Sequence, residues 1–543
     1  MTPSRHLALG LTLATALAAL ACGQAAPRTP EAGGGLAQPQ RGGAFQFAQR
    51  QTSPQLDPYT GPQVAQPQTL APVYEPLVNI DYRTGVDFRQ DYPMVPWLAD
   101  RWEQADPTTY LFHMRPGAKW HDGQTLTAED VVFTYRYVLD PKVPAQQKAN
   151  LAPLETFEAV DRETLKVVTK GPVATLLNNL AGVVLLPKHV MDQGASFEKT
   201  AVGTGPFKVE SFTPDSQAVY VKHADYWRSG RPYIDKVHMF MGLDDGSQQA
   251  AFASRKVDII TMQDKAQAEA LQRALPEART QPYLADITDS LFLKLDRPPF
   301  QDPRVRRAIH LAINRQDLVE RLTYGVGAID PPGINGAKQG WVIPQEELLK
   351  LPGYRQPKEP DIAEAKRLLA EAGFPNGFRA NLKYVGTYIG TPQGAEAIAE
   401  QLKAVGIMFQ LQPTEQAQFS QAQRDGTFEA YYTGLARFQP EPPWRQYLHS
   451  KGSLNTSPIR DADLDRLIDA QDRELDVAKR KQLFIEIQRL LLDQLYVVPS
   501  FSAGIYAVWQ PYVHDYVFNM ARQTYPLNWG DFWLDTGQLP SGR

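Results

Sequence analysis

Residues 121–124 read His-Asp-Gly-Gln, an imidazole beside a carboxylate in a tight turn. A His-Asp couple can move a proton, but neighbours in a turn seldom aim at one proton, which favours a turn-stabilising role for His121. Asp244 and Asp245 form a second candidate pair, which does acid–base work only if the two carboxyls face each other. Gly203-Thr204-Gly205-Pro206-Phe207 has the glycine content of a phosphate loop. No Lys-Ser or Lys-Thr pair follows to open a helix, and Phe207, Val209 and Ser211 alternate as a strand does, so a structural turn is expected. Arg304, Arg306 and Arg307 gather positive charge, for which a solvated helix face accounts. The sequence contains no Gly-x-Ser-x-Gly elbow, His-Glu-x-x-His helix or Walker loop. Histidine pairs at metal-ligand spacing are also missing. No catalytic residue, metal site or cofactor is therefore expected.

The elements that would carry these residues follow from periodicity. Tyr110, Phe112 and Met114 alternate with Leu111, His113 and Arg115, a half-buried strand that ends at Pro116-Gly117. Thr127 stands where a helix cap belongs, with Glu129 and Asp130 in the first turn and Val131, Val132, Tyr135, Val138 and Leu139 along one face. Asp302 precedes Pro303 at a helix start, and Val305, Ile309 and Ile313 recur at helical spacing. Asp361 is expected to cap a helix with Glu364 completing a capping box, and Gly373 to close it. Ile398, Leu402 and Val405 mark another helix, stopped by Gly406, and Ile407, Phe409 and Leu411 form one face of the strand after it. Leu464, Leu467 and Ile468, then Phe484, Ile487, Leu490 and Leu491, mark two late helices. Helix, glycine, strand is the grammar of an α/β protein.

The order of several motifs resembles the family 5 extracellular solute-binding proteins, the oligopeptide- and dipeptide-binding components of bacterial ABC importers. Leu98-Ala99 with Trp102, Tyr110 and Phe112 with Arg115 and Gly117, Trp120-His121-Asp122-Gly123, and Leu126-Thr127-Ala128 with Asp130-Val131 carry the likeness. Gly203 to Phe207, Tyr226-Trp227, residues 300–315 and residues 369–378 extend it from Arg41 to the C-terminus. The resemblance implies a two-lobed α/β, periplasmic-binding-protein-like (type II) fold with an extra domain on the first lobe. By block order, lobe one takes residues 41–82, 200–290 and 506–543, the extra domain 83–199, and lobe two 291–505.

The N-terminus reads as a targeting segment. Arg5 precedes an apolar run at residues 7–20, too short to span a bilayer and suited to a signal-peptide core. The run ends at Ala19-Leu20-Ala21-Cys22-Gly23, which resembles the lipobox of bacterial lipoproteins. Cys22 is then the lipidation site, and residues 23–40 a flexible tether rich in Ala, Gly, Pro and Gln. An ordinary secretory signal with an incidental cysteine is the alternative. Cys22 is the one cysteine in 543 residues, so no intramolecular disulfide or thiolate metal site is possible. The net charge of −4, with no basic patch interleaved with aromatics, argues against nucleic acid as a partner.

The resemblance implies a substrate-binding lipoprotein that closes on a solute and passes it to ABC permease subunits. Such a protein is a monomer held by its lipid at the extracytoplasmic face of the cell membrane. An enzyme on the same scaffold, such as a hydrolase, and a sensor for a membrane partner are the alternatives. In peptide-binding relatives the block matching residues 426–442 carries Gly-Trp, a nearby Asp and a later Pro, and the Asp pairs with the peptide's α-amino group. Here Leu435 stands at the Trp and Phe438 at the Asp, while Arg437 adds a charge that repels an amine. Glu441 can reach in as a substitute, and Tyr432 and Trp444, with Tyr388 across from them, offer rings. The ligand-binding candidates are therefore Tyr388, Tyr432, Leu435, Arg437, Phe438, Glu441 and Trp444. The expected ligand does not need a free α-amine: a blocked or unusual peptide, an oligosaccharide or another polar organic solute.

Overall fold

A computed structural model describes residues 38–61, 65–81, 93–145, 147–262, 265–284, 287–323, 325–386, 391–436, 444–517 and 529–543, with the backbone alone at 65, 287, 435 and 436. Local signals account for many of the elements. The helix Ala128–Leu139 starts at Thr127, whose backbone N–H and hydroxyl both donate to Asp130 at 2.9 Å. Asp302 accepts from the Arg304 amide at 2.8 Å and opens the helix Pro303–Ala312. Gly406, at φ +84°, ends the turn after the helix Thr391–Leu402 and releases the strand Ile407–Thr414.

Two expectations change. Asp361 does not cap its helix, which runs Glu359–Glu371 and therefore holds Asp361 inside its first turn. The carboxylate is fully buried and takes the Gly353 amide (2.8 Å), Arg355 (2.9 Å) and Lys358 (2.9 Å), so partners in the preceding turn outcompete the capping geometry. Arg306 is not on a solvated face. It is buried, and its guanidinium donates to the carbonyls of Phe300, Gln301 and Gln494.

The strands gather into two large sheets and one smaller one. The first has seven strands in the order Arg279–Leu284, Gly504–Trp509, Ile259–Met262, Ala44–Ala48, Lys236–Phe240, Gln217–Lys222 and Phe207–Thr213. Ala44–Ala48 runs parallel to both of its neighbours. The second has five strands in the order Ile407–Thr414, Phe378–Val385, Ala430–Ala436, Ile287–Leu293 and Val497–Pro499, the first three mutually parallel. A four-stranded antiparallel sheet is built from Ala99–Asp106, Thr109–Met114, Thr164–Thr169 and Leu154–Ala159. Its apolar face (Tyr110, Phe112, Leu165, Val167) and the helix Ala128–Leu139 share one core with Phe45, Phe207 and Val237 of the seven-stranded sheet. The five-stranded sheet has apolar clusters on both faces: Leu291, Leu293 and Tyr432 on one side, Phe292 and Tyr431 on the other. Residues Gln40–Arg543 form one compact unit.

The chain crosses between the two large sheets twice. Arg279–Leu284 belongs to the first sheet and Ile287–Leu293 to the second; on the return, Val497–Pro499 leads to Gly504–Trp509. Between these, Phe501–Ser502 pairs with Ala328–Ile329, which braces the returning strand.

Candidate functional site

Register decides which edges of the two sheets meet. Ala48, Phe240 and Met262 end parallel strands on one edge of the seven-stranded sheet, and Leu284, paired with Gly504, ends on the same edge. Val385, Thr414 and Ala436 end parallel strands of the other sheet, and Ile287, paired with Ala436, begins there. Only residues 285 and 286 separate Leu284 from Ile287, so the crossing joins the C-terminal edge of one sheet to the C-terminal edge of the other. Open α/β sheets bind ligands at that edge.

On the first sheet, Gln49, Arg50 and Gln51 leave the end of Ala44–Ala48. With Gln68, Gln248, Thr261 and Tyr516 they line a cavity of about 480 Å³, open mouth included. Gln49 Nε2 donates to the Gln51 carbonyl (3.2 Å) and to Thr69 Oγ1 (3.1 Å), while its Oε1 meets no donor among the described residues. Arg50 pairs with Asp245, and Asp244 accepts from the Ser247 amide at 2.7 Å as a helix cap. The two adjacent acids thus have separate structural partners and do not share a proton. Amides and one paired guanidinium can hydrogen-bond a polar solute; among these lining groups there is no nucleophile with an adjacent base.

On the second sheet the edge carries Thr288, Asp289 and Ser290, all buried. Thr288 Oγ1 and Ser290 Oγ have no partner among the described residues. Asp289 is 2% exposed, and no hydrogen bond or ion pair reaches its carboxylate among the described residues. Burial alone pushes its pKa up to about 7. Its neighbour across the ladder is Gly434, which brings no side chain, and the Ser500 amide donates to its backbone carbonyl at 3.0 Å. Sequence reasoning passed over Asp289. The available signal was an acid inside the run Ile287-Thr288-Asp289-Ser290-Leu291-Phe292-Leu293, otherwise the wording of a central strand.

The candidates read from the sequence fare differently. Tyr432 is fully buried beside Leu291 and Val498, its hydroxyl donating to Ser500 Oγ at 3.2 Å. Trp444 is 1% exposed, its ring 4.9 Å from that of Phe484 and its indole edge against Gly333. Both are core residues rather than rings offered to a solute, because the strand Ala430–Ala436 has apolar clusters on both faces and Trp444 packs on Phe484 of a late helix. The backbone of Leu435 lies opposite Thr288. Tyr388, Arg437, Phe438, Glu441 and Cys22 lie outside the described residues.

His121 stabilises a turn. Its Nδ1 accepts from the Gly203 amide (3.2 Å) and its Nε2 lies 3.0 Å from the Gly205 carbonyl, while Asp122 meets His189 Nε2 at 2.6 Å. The glycines are there for close approach: a Cβ on Gly203 would stand 1.9 Å from the Val73 carbonyl oxygen. Among the described residues no group of three His, Cys, Asp or Glu is placed to hold a metal, and no helix is long and apolar enough to cross a membrane.

The profile of the bacterial extracellular solute-binding proteins, family 5 (middle), matches residues 93–456. The chain belongs to that family. Among its relatives, a probable deoxycholate-binding periplasmic protein of Escherichia coli K12 is 26% identical over 503 residues, covering 86% of this chain and 90% of the other. Di/tripeptide-binding protein 1 of Pseudomonas aeruginosa UCBPP-PA14 is 23% identical over 489 residues, covering 80% and 88%. The solved structure of DppA from Helicobacter pylori with the peptide STSA superimposes with a TM-score of 0.75 at 22% identity, covering 91% of this chain and 98% of that one. This family 5 protein therefore has the two-lobed periplasmic-binding-protein fold, its lobes centred on the seven- and five-stranded sheets. The polar groups described above lie at the C-terminal edges of those two sheets.

Proposed function

We propose that this family 5 protein is the substrate-binding lipoprotein of an ABC importer, which captures a peptide or other polar organic solute by lobe closure and delivers it to a permease. One observation carries the reading: two hinge strands join the C-terminal edges of the sheets, and both edges carry polar groups that have no partner among the described residues. A solute that touches both edges binds the closed arrangement better than the open one and shifts the population toward it. The peptide ligands in the names of relatives support the solute class, and the deoxycholate of another widens it.

The same reading divides the chain into lobe one (residues 41–82, 200–290 and 506–543), an extra domain (83–199) and lobe two (291–505). It makes Cys22 the acylated first residue of a monomer tethered at the extracytoplasmic face. Phe438, at the position of the amine-binding Asp of peptide-binding relatives, makes a free α-amine dispensable at that point of the cleft. Native mass spectrometry of the purified protein tests the core of the proposal. It should find a non-covalent solute that is released unchanged, mole for mole. Turnover of that solute beyond one equivalent would transfer the protein to the enzyme class.

A further inference from the structure

We infer that Asp289 is a specificity residue of the cleft, its carboxylate taking a cationic nitrogen (an ammonium or a guanidinium) of the captured solute. The inference rests on the capture reading above and adds the charge class of the solute. Asp289 stands near the C-terminal edge of the second sheet, the third residue of the hinge strand Ile287–Leu293. It is 2% exposed and unpaired among the described residues. Alternation puts it on the same face as Leu291 and Tyr432, and the residue opposite on one side, Gly434, brings no side chain to pair with it.

Among the described residues, the surrounding groups do not answer its charge. The Tyr432 hydroxyl is committed to Ser500 Oγ. Asp330, the other acid near Tyr432, is itself answered by Ser502 Oγ (2.6 Å) and the Gly336 amide (2.7 Å). A buried carboxylate without a counter-charge is unfavourable, and one that is kept at a binding edge gains its partner when the solute brings it. A neutral solute of the same shape would leave the acid unpaired, so the residue discriminates as well as binds. Its pKa of about 7 fits this, since an arriving cation displaces a loosely held proton.

The experiment is calorimetry on wild type and Asp289→Asn with four probes: Ala-Ala-Ala, N-acetyl-Ala-Ala-Ala, N-acetyl-Ala-Lys-Ala and N-acetyl-Ala-norleucine-Ala. The first pair reports an α-amine and the second a side-chain ammonium. In at least one pair, wild type should favour the cationic member by about tenfold or more, and Asp289→Asn should bring that ratio close to one. Asp289→Ser should do the same, which separates the effect from misfolding of a single variant. An equal ratio in wild type and variants, or equal binding of charged and neutral twins by wild type, overturns the role of Asp289 and leaves capture standing. Failure of every probe to bind wild type counts against both readings.

Discussion

Leu284 pairs with Gly504 at the last rung of the seven-stranded sheet, and five residues later Asp289 takes the Ser500 amide in the other sheet. The two strands that link the lobes thus run side by side, antiparallel, from one sheet into the next. In hinge closure a few such linking residues absorb the change of backbone angle.

Gly504 is needed for that approach. A Cβ there would come within 2.6 Å of Val326 Cβ, so Gly504→Val overfills the bracing contact. It should lower stability by about 1–3 kcal/mol in urea unfolding. An unchanged midpoint and slope would show that the contact is looser than described.

Asp289 sets one pH dependence. Burial raises its folded pKa to about 7, above the ordinary carboxylate value, so the folded chain binds a proton that the unfolded chain has released. Its contribution is fully present at low pH and is lost as pH rises through about 7. Between pH 5 and pH 8 wild type should lose stability relative to Asp289→Asn, by a few kcal/mol at most. Parallel Tm profiles of the two proteins over that range would contradict it.

His121 sets the opposite one. Burial pushes its folded pKa down to about 3, partly opposed by the Gly205 carbonyl, so the unfolded chain takes up a proton first as pH falls. Stability is present above the ordinary value of 6.5 and is lost progressively below it. His121→Gln should cost about 1 kcal/mol at pH 8, for the turn hydrogen bonds, yet flatten the decline between pH 6.5 and pH 4. A variant with the wild-type acid slope would mean that the ring titrates freely.

The proposed anchor rests on Cys22. Mass spectrometry of membrane-extracted protein should find the mature N-terminus at an acylated Cys22, and Cys22→Ala should release the protein from the membrane fraction. A wild-type product cut elsewhere and recovered unacylated would remove the lipid from the account.

How much of this could be read from the chain depends on how far apart the partners lie. Thr127 and Asp130, or Asp302 and Pro303, settle a helix start within a few residues, and those elements fold as expected. Asp361 has the same local look, but Gly353, Arg355 and Lys358 claim its carboxylate, and the helix starts three residues earlier than a cap at Asp361 would place it. Tyr432 and Trp444 look available because nothing near them in sequence says what covers them. Their cover comes from Val498, Phe484 and Gly333. The resemblance supplied the lobes and the hinge, which no periodicity contains. Asp289 belongs to no motif, and its meaning appears only when the crossing strand is seen at the facing edges.

Capture by lobe closure requires that the protein compact around a solute and return it unchanged. Small-angle scattering tests it most directly, using protein stripped by partial unfolding and refolding and then given back the solute recovered from the purified sample. The particle should become more compact on addition, and the solute should be recovered at its original mass. An unchanged radius of gyration at saturation, or a solute consumed beyond one equivalent, would contradict the account.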